Sequence, residues 1–267
     1  MIKKILHTRT FKVTVFIFIC AVIYLSPGFS WNVKSARIEA ENHIEQQYKF
    51  KPKYISGGYS SSLDASHYLL DFVDEKNILI GVTVWTSGLG GPGVLKAYGT
   101  GKTEIKQVKE DNLEKTLEII ERLNQAGLNL NYSDNTYQSI WHKAGLNCVL
   151  NTYCTLIDCN INQYGSYEKH LELTRAILDE VTAVGRAEGI DVKQEIIEKN
   201  IENCFDPKTA GLHYPSLYQD MKNGRLTEID YLNGEVSRLG KIHNIPTPVC
   251  DVITLMIHSK ESVNGNK

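Results

Sequence analysis

One stretch of this chain places a cation and two amides at a spacing that suits the binding of a small anion. Lys143, Asn147 and Asn151 recur every four residues. In a helix the second and third lie only about 40° and 80° around the axis from the first, so all three can address one ligand. An ammonium with two amides suits a small, oxygen-rich anion. The alternative is the ordinary solvated stripe of an amphipathic helix.

The same stretch carries apolar residues on a different side. These residues lie roughly 240° to 340° around the helix from Lys143, and they are Leu146, Val149, Leu150 and Tyr153. We therefore predict a helix with one face for a ligand and a separate face for the core.

The composition of the whole chain is that of a globular protein. With 267 residues, of which 42% are hydrophobic and 22% charged, the chain can bury a sizeable core without a metal or a disulfide framework. A formal net charge of -2 gives no reason to expect nucleic acid as a partner. No Cys-x-x-Cys pair occurs among Cys20, Cys148, Cys154, Cys159, Cys204 and Cys250. We interpret them as reduced thiols, which favours the cytosol for the bulk of the chain.

The N-terminus indicates a different location. Basic residues precede an apolar run from Val13 to Leu25, and Ser26-Pro27-Gly28 follows it. This is the layout of an export signal or a membrane anchor. We predict such a segment at residues 1–33, with membrane contact through residues 11–28; the alternative is a buried core helix.

Residues 34–76 form a small segment to which we assign no role. The pattern predicts a short surface helix between Ser35 and Tyr48, then strands from Tyr54 to Tyr59 and from Tyr68 to Val73. A further strand is predicted from Ile78 to Trp85.

Two nucleotide-binding motifs fail when their surroundings are considered. Gly88 to Gly93 satisfies Gly-x-Gly-x-x-Gly, but that motif works by starting a helix, and the residues from Val94 to Val108 have the pattern of strands. Gly101-Lys102-Thr103 resembles the end of a P-loop, but Lys96 stands where the upstream glycine is needed. We therefore predict no phosphate loop at either place.

The remainder of the chain is mainly helical by its pattern. A helix from Asn112 to Ala126 and a short strand from Leu128 to Leu130 precede the long central helix, which starts at Asp134-Asn135. Later helices are predicted near residues 167–188, 192–203, 216–222 and 227–244. Ile245-Pro246-Thr247-Pro248 introduces a last helix that should end near Ser259.

Three separated motifs carry a family resemblance. They are Trp141-x-Lys143-x-x-x-Asn147-x-x-x-Asn151, Ser216-Leu217-Tyr218-Gln219-Asp220 and Thr227-Glu228-Ile229-Asp230-Tyr231-Leu232-Asn233-Gly234. In this order they resemble ketopantoate reductase (2-dehydropantoate 2-reductase), chiefly its C-terminal domain. The resemblance implies an α+β fold, with an incomplete Rossmann-like α/β remnant at residues 77–134 and an all-helical, 6-phosphogluconate-dehydrogenase-like domain at residues 135–262.

The resemblance also implies roles for individual residues. Lys143 matches the family's catalytic lysine, while Asn147, Asn151 and Ser216 match substrate-binding residues. Glu228 and Ser87 match positions that contact the cofactor, NADP, and no metal is implied. A further substrate asparagine of the family falls at Ile161, between Asn160 and Asn162.

The function implied is the NADPH-dependent reduction of 2-dehydropantoate, a small 2-oxo acid, to pantoate in pantothenate and coenzyme A biosynthesis. The family resemblance further implies a cytoplasmic oxidoreductase, and we expect a homodimer. The family's first strand, glycine-rich turn and phosphate-reading basic residue have no counterpart before Asn77, where the signal-like segment stands. We therefore expect a truncated or fused chain with impaired activity. The alternative is a membrane-anchored or exported, non-catalytic binding or dimerisation module.

Overall fold

The computed structural model describes residues 74–83, 86–91, 94–98 and 101–266, with the backbone alone for residues 86–91 and 94–98. The described residues up to Ser133 belong to one compact unit and those from Asp134 to a second. The predicted signal or anchor at residues 1–33 and the predicted elements between residues 35 and 73 lie outside the described residues. Within the described part, no helix is both long and apolar enough to cross a membrane.

The first unit contains two small sheets and one helix. Strand β1 pairs antiparallel with β4, β4 pairs parallel with β5, and β2 and β3 form an antiparallel hairpin. The elements are β1 (Leu79–Thr83), β2 (Thr86–Gly91), β3 (Val94–Tyr98), β4 (Lys102–Gln107), α1 (Leu113–Gln125) and β5 (Asn129–Tyr132).

The glycine-rich stretch lies in the β2–β3 hairpin. Ser87 is paired with Ala97, and Leu89 with Leu95. Strand β3 follows the glycines where a dinucleotide loop would start a helix, and Lys102 begins strand β4. The prediction that neither motif is a phosphate loop is confirmed.

Helix α1 forms where capping and periodicity predict it. The side chain of Asn112 accepts a hydrogen bond from the backbone N–H of Lys115 at 3.0 Å, which caps the first turn. Ile120 and Leu123 are buried on one face and pack with Ile105 of β4 and Leu130 of β5. The predicted strand at Leu128–Leu130 is confirmed as β5, shifted by one to two residues.

The second unit is all helical from residue 134 to residue 266, all of which the structure describes. A 3-10 helix (Ile229–Tyr231) interrupts the series. The α-helices are α2 (Thr136–Ile157), α3 (Ile161–Gly165), α4 (His170–Ala187), α5 (Gln194–Cys204), α6 (Ser216–Lys222), α7 (Asn233–His243) and α8 (Pro248–Asn264).

Helix α2 is the central element of this unit. Val149 and Leu150 are fully buried in the core, and Leu146 and Tyr153 pack against that core at partial burial. The predicted core face of this helix is therefore confirmed. The helix ends where Asp158 adopts a left-handed conformation with φ of 56°, which stops helical hydrogen bonding.

Three details of the helix prediction are wrong. Helix α3 was not predicted; it forms because Asn160 and Gln163 make reciprocal capping bonds. The predicted helix from Thr227 to Asn244 begins instead as a separate 3-10 turn, since Leu232 leaves helical geometry with ψ of -105°. The last helix continues past Ser259 to Asn264, where Gly265 with φ of 68° ends it.

The cysteines of the described part are free thiols, namely Cys148, Cys154, Cys159, Cys204 and Cys250.

Helix α8 exposes apolar side chains to solvent, among them Val252, Leu255 and Met256. The predicted homodimer stays a prediction.

Candidate active site

Helix α2 carries the three polar residues that the helical spacing singled out. Asn151 is buried, with 5% of its surface exposed, while Lys143 and Asn147 are partly buried. The neighbouring Trp141 and Ala144 are buried, so the backbone that carries Lys143 is held by packing on the core side.

A chain of hydrogen bonds leads from α2 to Glu228. The Asn151 Nδ2 atom donates to Ser216 Oγ at 3.3 Å. Ser216 Oγ in turn donates to Glu228 Oε1 at 3.2 Å. Ser216 is the first residue of α6, and Glu228 directly precedes the 3-10 helix. Three separate elements therefore meet at one carboxyl group.

The environment of Glu228 favours its neutral form more than water does. Burial and the negative charge of Asp220 raise the pKa of Glu228 to about 7, although the Ser216 hydrogen bond and the charge of Lys143 act in the opposite direction. Glu228 therefore exchanges its proton near neutral pH.

Lys143 is the cation of the same cluster. Burial lowers the pKa of Lys143 below its ordinary value, and the negative charge of Glu228 partly opposes this shift. A lysine in this environment gives up its proton more readily than a solvated one. The pair can therefore supply a proton to an oxygen that gains negative charge.

Asp220 and Arg225 belong to this environment but were not predicted as site residues. Arg225 donates from Nε at 2.8 Å and from a terminal nitrogen at 2.6 Å to Oδ1 of Asp220. Burial raises the pKa of Asp220, and Arg225 acts against that shift. The sequence signal for this pair was its spacing: an acidic and a basic residue five positions apart, on either side of the end of α6, can form an ion pair across the turn.

The structure places the predicted site residues as follows. The hydrogen bonds above bring Asn151, Ser216 and Glu228 together, and Lys143 is near enough to Glu228 for their charges to interact. Asn147 lies one helical turn from both Lys143 and Asn151 on α2. Ser87 lies in β2, where only the backbone is described, so its cofactor contact stays a prediction.

The asparagines beside Ile161 have structural partners. The Asn160 side chain accepts from the backbone N–H of Gln163 at 2.9 Å, and Asn162 Nδ2 donates to the carbonyl oxygen of Phe205 at 3.0 Å. Both amides thus stabilise the start of α3 and its connection to the segment after α5.

Comparison with known proteins identifies the family. Residues 135–261 match the family model described as Ketopantoate reductase PanE/ApbA C terminal. The 2-dehydropantoate 2-reductase of Lactococcus lactis subsp. lactis (strain IL1403) is 43% identical over 193 residues, which are 72% of this chain and 62% of that protein. The chain belongs to the ketopantoate reductase family. It spans about 62% of the length of such relatives.

Solved structures of relatives share the fold. Two structures of D-mandelate dehydrogenase are each 39% identical to this chain and cover 76% of it. The complex with NADH has a TM-score of 0.72, and 68% of its chain is covered. The ternary complex with NADH and anilino(oxo)acetate has a TM-score of 0.71, and 65% of its chain is covered. A putative 2-dehydropantoate 2-reductase from Enterococcus faecalis is 42% identical, with a TM-score of 0.61 over 75% of this chain and 64% of that one. The predicted α+β fold with an all-helical C-terminal domain is confirmed.

Within this family member, we expect the substitution Ser216→Ala to raise the pKa of Glu228 further. The hydroxyl donates to the carboxylate and so stabilises its charged form, and its removal leaves burial and Asp220 less opposed. The measurement is a pH titration of the Glu228 carboxyl carbon by NMR. Ser166→Ala is the control, because its hydroxyl donates to the carbonyl of Asn162 at the end of α3. An unchanged or lowered midpoint in Ser216→Ala alone would contradict the assignment.

Proposed function

We propose that this chain binds a small 2-oxo acid at the Lys143 and Glu228 cluster and takes part in its reduction to the 2-hydroxy acid. The substrate proposed first is 2-dehydropantoate, with pantoate as the product. The observation that carries the proposal is the hydrogen-bond chain from Asn151 through Ser216 to Glu228, with Lys143 near enough to Glu228 for their charges to interact. Sequence identity of 43% to a 2-dehydropantoate 2-reductase supports the choice of substrate.

Lys143 would act on the ketone oxygen of the substrate. Reduction adds a hydride to the ketone carbon and a proton to the oxygen, so the oxygen gains negative charge as the reaction proceeds. A charged lysine stabilises that oxygen and then transfers its proton to it. The lowered pKa of Lys143 makes this transfer easier than it would be for a solvated lysine.

The neutral polar groups would orient the acid. Asn147 and Asn151 lie at successive turns of α2 beside Lys143, and an amide N–H₂ group donates well to a carboxylate or a hydroxyl oxygen. The Ser216 hydroxyl accepts a hydrogen bond from Asn151 and donates one to Glu228. It therefore connects a proposed substrate-binding amide with the carboxyl group that exchanges a proton. Burial of Asn151 restricts its motion and reduces the entropy lost on binding.

A nicotinamide dinucleotide would supply the hydride when bound. Structures of D-mandelate dehydrogenase contain NADH, and we infer a nicotinamide cofactor for this chain, with NADP as the form that the family resemblance implies. Glu228 would lie beside the nicotinamide end, as the family resemblance implies, and its charge influences the proposed proton donor Lys143. The glycines from Gly88 to Gly91 do not fit a pyrophosphate, because they lie in a hairpin strand.

The test is binding and turnover by the purified full chain. We expect calorimetry to give a dissociation constant for 2-dehydropantoate below about 1 mM, the upper end of ordinary Michaelis constants. Butanoate, which has the carboxylate but lacks the ketone, should bind at least about tenfold more weakly, since it makes no contact with Lys143. Absorbance at the NADPH band then reports turnover, with NADH in a parallel assay. Equal binding of 2-dehydropantoate and butanoate would contradict the proposal.

A second candidate is the reduction of a bulkier 2-oxo acid. The D-mandelate dehydrogenase structures match this chain with higher TM-scores than the Enterococcus faecalis structure does. Phenylglyoxylate, the 2-oxo acid that corresponds to mandelate, should therefore be included in the calorimetry. Tighter binding of phenylglyoxylate than of 2-dehydropantoate would favour this second substrate class.

A further inference from the structure

Two side chains of helix α8 reach the segment that carries Glu228. Glu261 Oε1 accepts a hydrogen bond at 2.7 Å from the backbone N–H of Thr227, the residue before Glu228. His258 Nε2 lies 2.8 Å from Oδ1 of Asp230, two residues after Glu228. His258 Nδ1 lies 2.9 Å from Glu261 Oε2. The contacts therefore connect α8 to both sides of Glu228.

The geometry of this bridge requires a charged imidazole. Both ring nitrogens of His258 face carboxylate oxygens, which accept hydrogen bonds and do not donate them. A neutral imidazole donates from one nitrogen only, so both contacts are made only when both nitrogens carry a proton. Burial lowers the pKa of His258, but the hydrogen bonds to Glu261 and Asp230 outweigh this and raise the pKa overall.

The two carboxylates differ in how much they depend on the imidazole. Glu261 is buried, with 4% of its surface exposed, and it also accepts from the Thr227 amide. Asp230 is exposed, with 65% of its side chain accessible, and water can replace the histidine there. When His258 loses one proton, it can donate a hydrogen bond to only one of the two carboxylates. Either the buried Glu261 carboxylate loses a hydrogen-bond donor or Asp230 is released, and both changes weaken the bridge.

Other charged groups near α8 have different partners. Glu180 of α4 accepts hydrogen bonds from the backbone N–H groups of Val249 and Cys250. Lys260 of α8 pairs with Asp158 at 3.1 Å, at the end of α2. The charged groups that face His258 are Asp230, on the 3-10 helix, and Glu261, on α8 itself.

We propose that His258 and Glu261 are positioning residues that hold the Glu228 segment in place, and that protonation of His258 controls how firmly the Glu228 carboxyl is held against Ser216. The importance of this bridge for catalysis rests on the proposed function, because Glu228 is placed at the 2-oxo acid site there. The bridge itself rests only on the contacts described above.

The direction of the pH effect follows from the sign of the shift. Because the pKa of His258 is raised in the folded protein, its stabilising contribution is complete below the ordinary histidine value of 6.5. The contribution is lost as the pH rises through the raised value. The Glu228 segment should therefore be most firmly held at mildly acidic pH.

The test is amide hydrogen exchange in the full chain, read by NMR at Thr227 and Ile229. The variants are His258→Ala and His258→Gln, because the glutamine amide restores one donor without a titratable proton. We expect exchange at Thr227 to be about tenfold faster in His258→Ala at pH 6, since hydrogen bonds to a charged group are lost. His258→Gln should recover part of the protection and should lack the pH-dependent loss that the unaltered chain shows.

The matched control is His243→Gln. His243 of α7 also pairs with a carboxylate, that of Glu188 after α4, but neither residue belongs to the bridge. This control should leave exchange at Thr227 and the titration of Glu228 unchanged. If His258→Ala and His243→Gln give the same Thr227 exchange and the same Glu228 midpoint, the positioning role is wrong.

Calorimetry with 2-dehydropantoate separates this proposal from the proposed function. If the unaltered chain does not bind the 2-oxo acid, the proposed function fails, while the exchange data still decide the positioning role. If it binds, His258→Ala should weaken binding at pH 6. It should differ little from the unaltered chain at a pH above the His258 midpoint that NMR titration gives, where His258 has lost its proton. Equal weakening at both pH values would show that the effect of His258 is structural and does not depend on its proton. That result would overturn the proposal that protonation of His258 controls the Glu228 segment.

Discussion

Replacing Lys143 by alanine is expected to lower kcat for the proposed 2-oxo acid reduction by about 10³-fold, within the range for loss of a general acid. In the function proposed for this chain, the lysine supplies both the charge that stabilises the ketone oxygen and the proton that this oxygen receives. Alanine removes both, while the packing of Trp141 and Ala144 keeps the helix in place. Stopped-flow or steady-state oxidation of the reduced nicotinamide measures the change, and calorimetry should show weaker binding of 2-dehydropantoate as well.

Lys143→Arg separates the two contributions. Arginine keeps the positive charge but does not release a proton in proteins. We expect this variant to retain most of the binding of the 2-oxo acid while kcat falls nearly as far as in Lys143→Ala. Lys199→Ala, an exposed lysine on α5, is the control for loss of a lysine from the same unit and should leave both quantities unchanged. An arginine variant with normal kcat would contradict proton transfer from this position.

The pH dependence gives an independent check on the same group. Burial lowers the pKa of Lys143 below its ordinary value of 10.5. The proposed reduction needs the protonated lysine, so kcat should fall as the pH rises through this lowered pKa. The fall should begin at a lower pH than a solvated lysine would give.

The polar face of α2 could be predicted from spacing because all of its residues lie on one helix. Helical geometry relates Lys143, Asn147 and Asn151 without any knowledge of tertiary structure. The same is true of α1, where Asn112 is both the sequence signal and the observed cap. Local structure of this kind depends on interactions over three or four residues.

The partners of that face could not be derived from spacing. Ser216 is 65 residues from Asn151, and its contact depends on how α6 packs against α2. Only the resemblance to the family's motifs pointed to Ser216 and Glu228. His258 and Glu261 lie outside those motifs, and nothing in the local pattern of α8 indicates that they reach back to Thr227 and Asp230.

The first turn of the last helix is capped by a residue from a distant part of the chain. Thr247-Pro248 is a common start of a helix, with threonine at the N-cap position. In the structure Thr247 makes no side-chain capping bond. Glu180 of α4 takes that role instead, since its two oxygens each accept from a backbone N–H of the first turn, those of Val249 and Cys250, at 2.8 Å.

Replacing Glu180 by alanine is therefore expected to lower the free energy of unfolding of the helical unit by about 3 kcal/mol, which is the upper range for hydrogen bonds to a charged group. The carboxylate is buried, with 8% of its surface exposed, so water cannot readily replace it at the two amides. Its negative charge also lies at the N-terminus of α8, where it is favoured by the helix dipole. Urea denaturation followed by circular dichroism at 222 nm measures the change.

Two further variants make this prediction specific. Thr247→Val removes the hydroxyl with little change in shape and should cost less than about 0.5 kcal/mol, whereas a genuine threonine cap would typically cost about 1 kcal/mol. Glu172→Ala removes an exposed carboxylate from the same helix as Glu180 and should also change stability little, because 76% of its side chain is accessible. A larger loss in Thr247→Val than in Glu180→Ala would show that the local cap holds α8. The opposite order would show that the Glu180 carboxylate, almost 70 residues earlier in the chain, fixes the start of α8. His258 and Glu261 reach the Glu228 segment from this same helix.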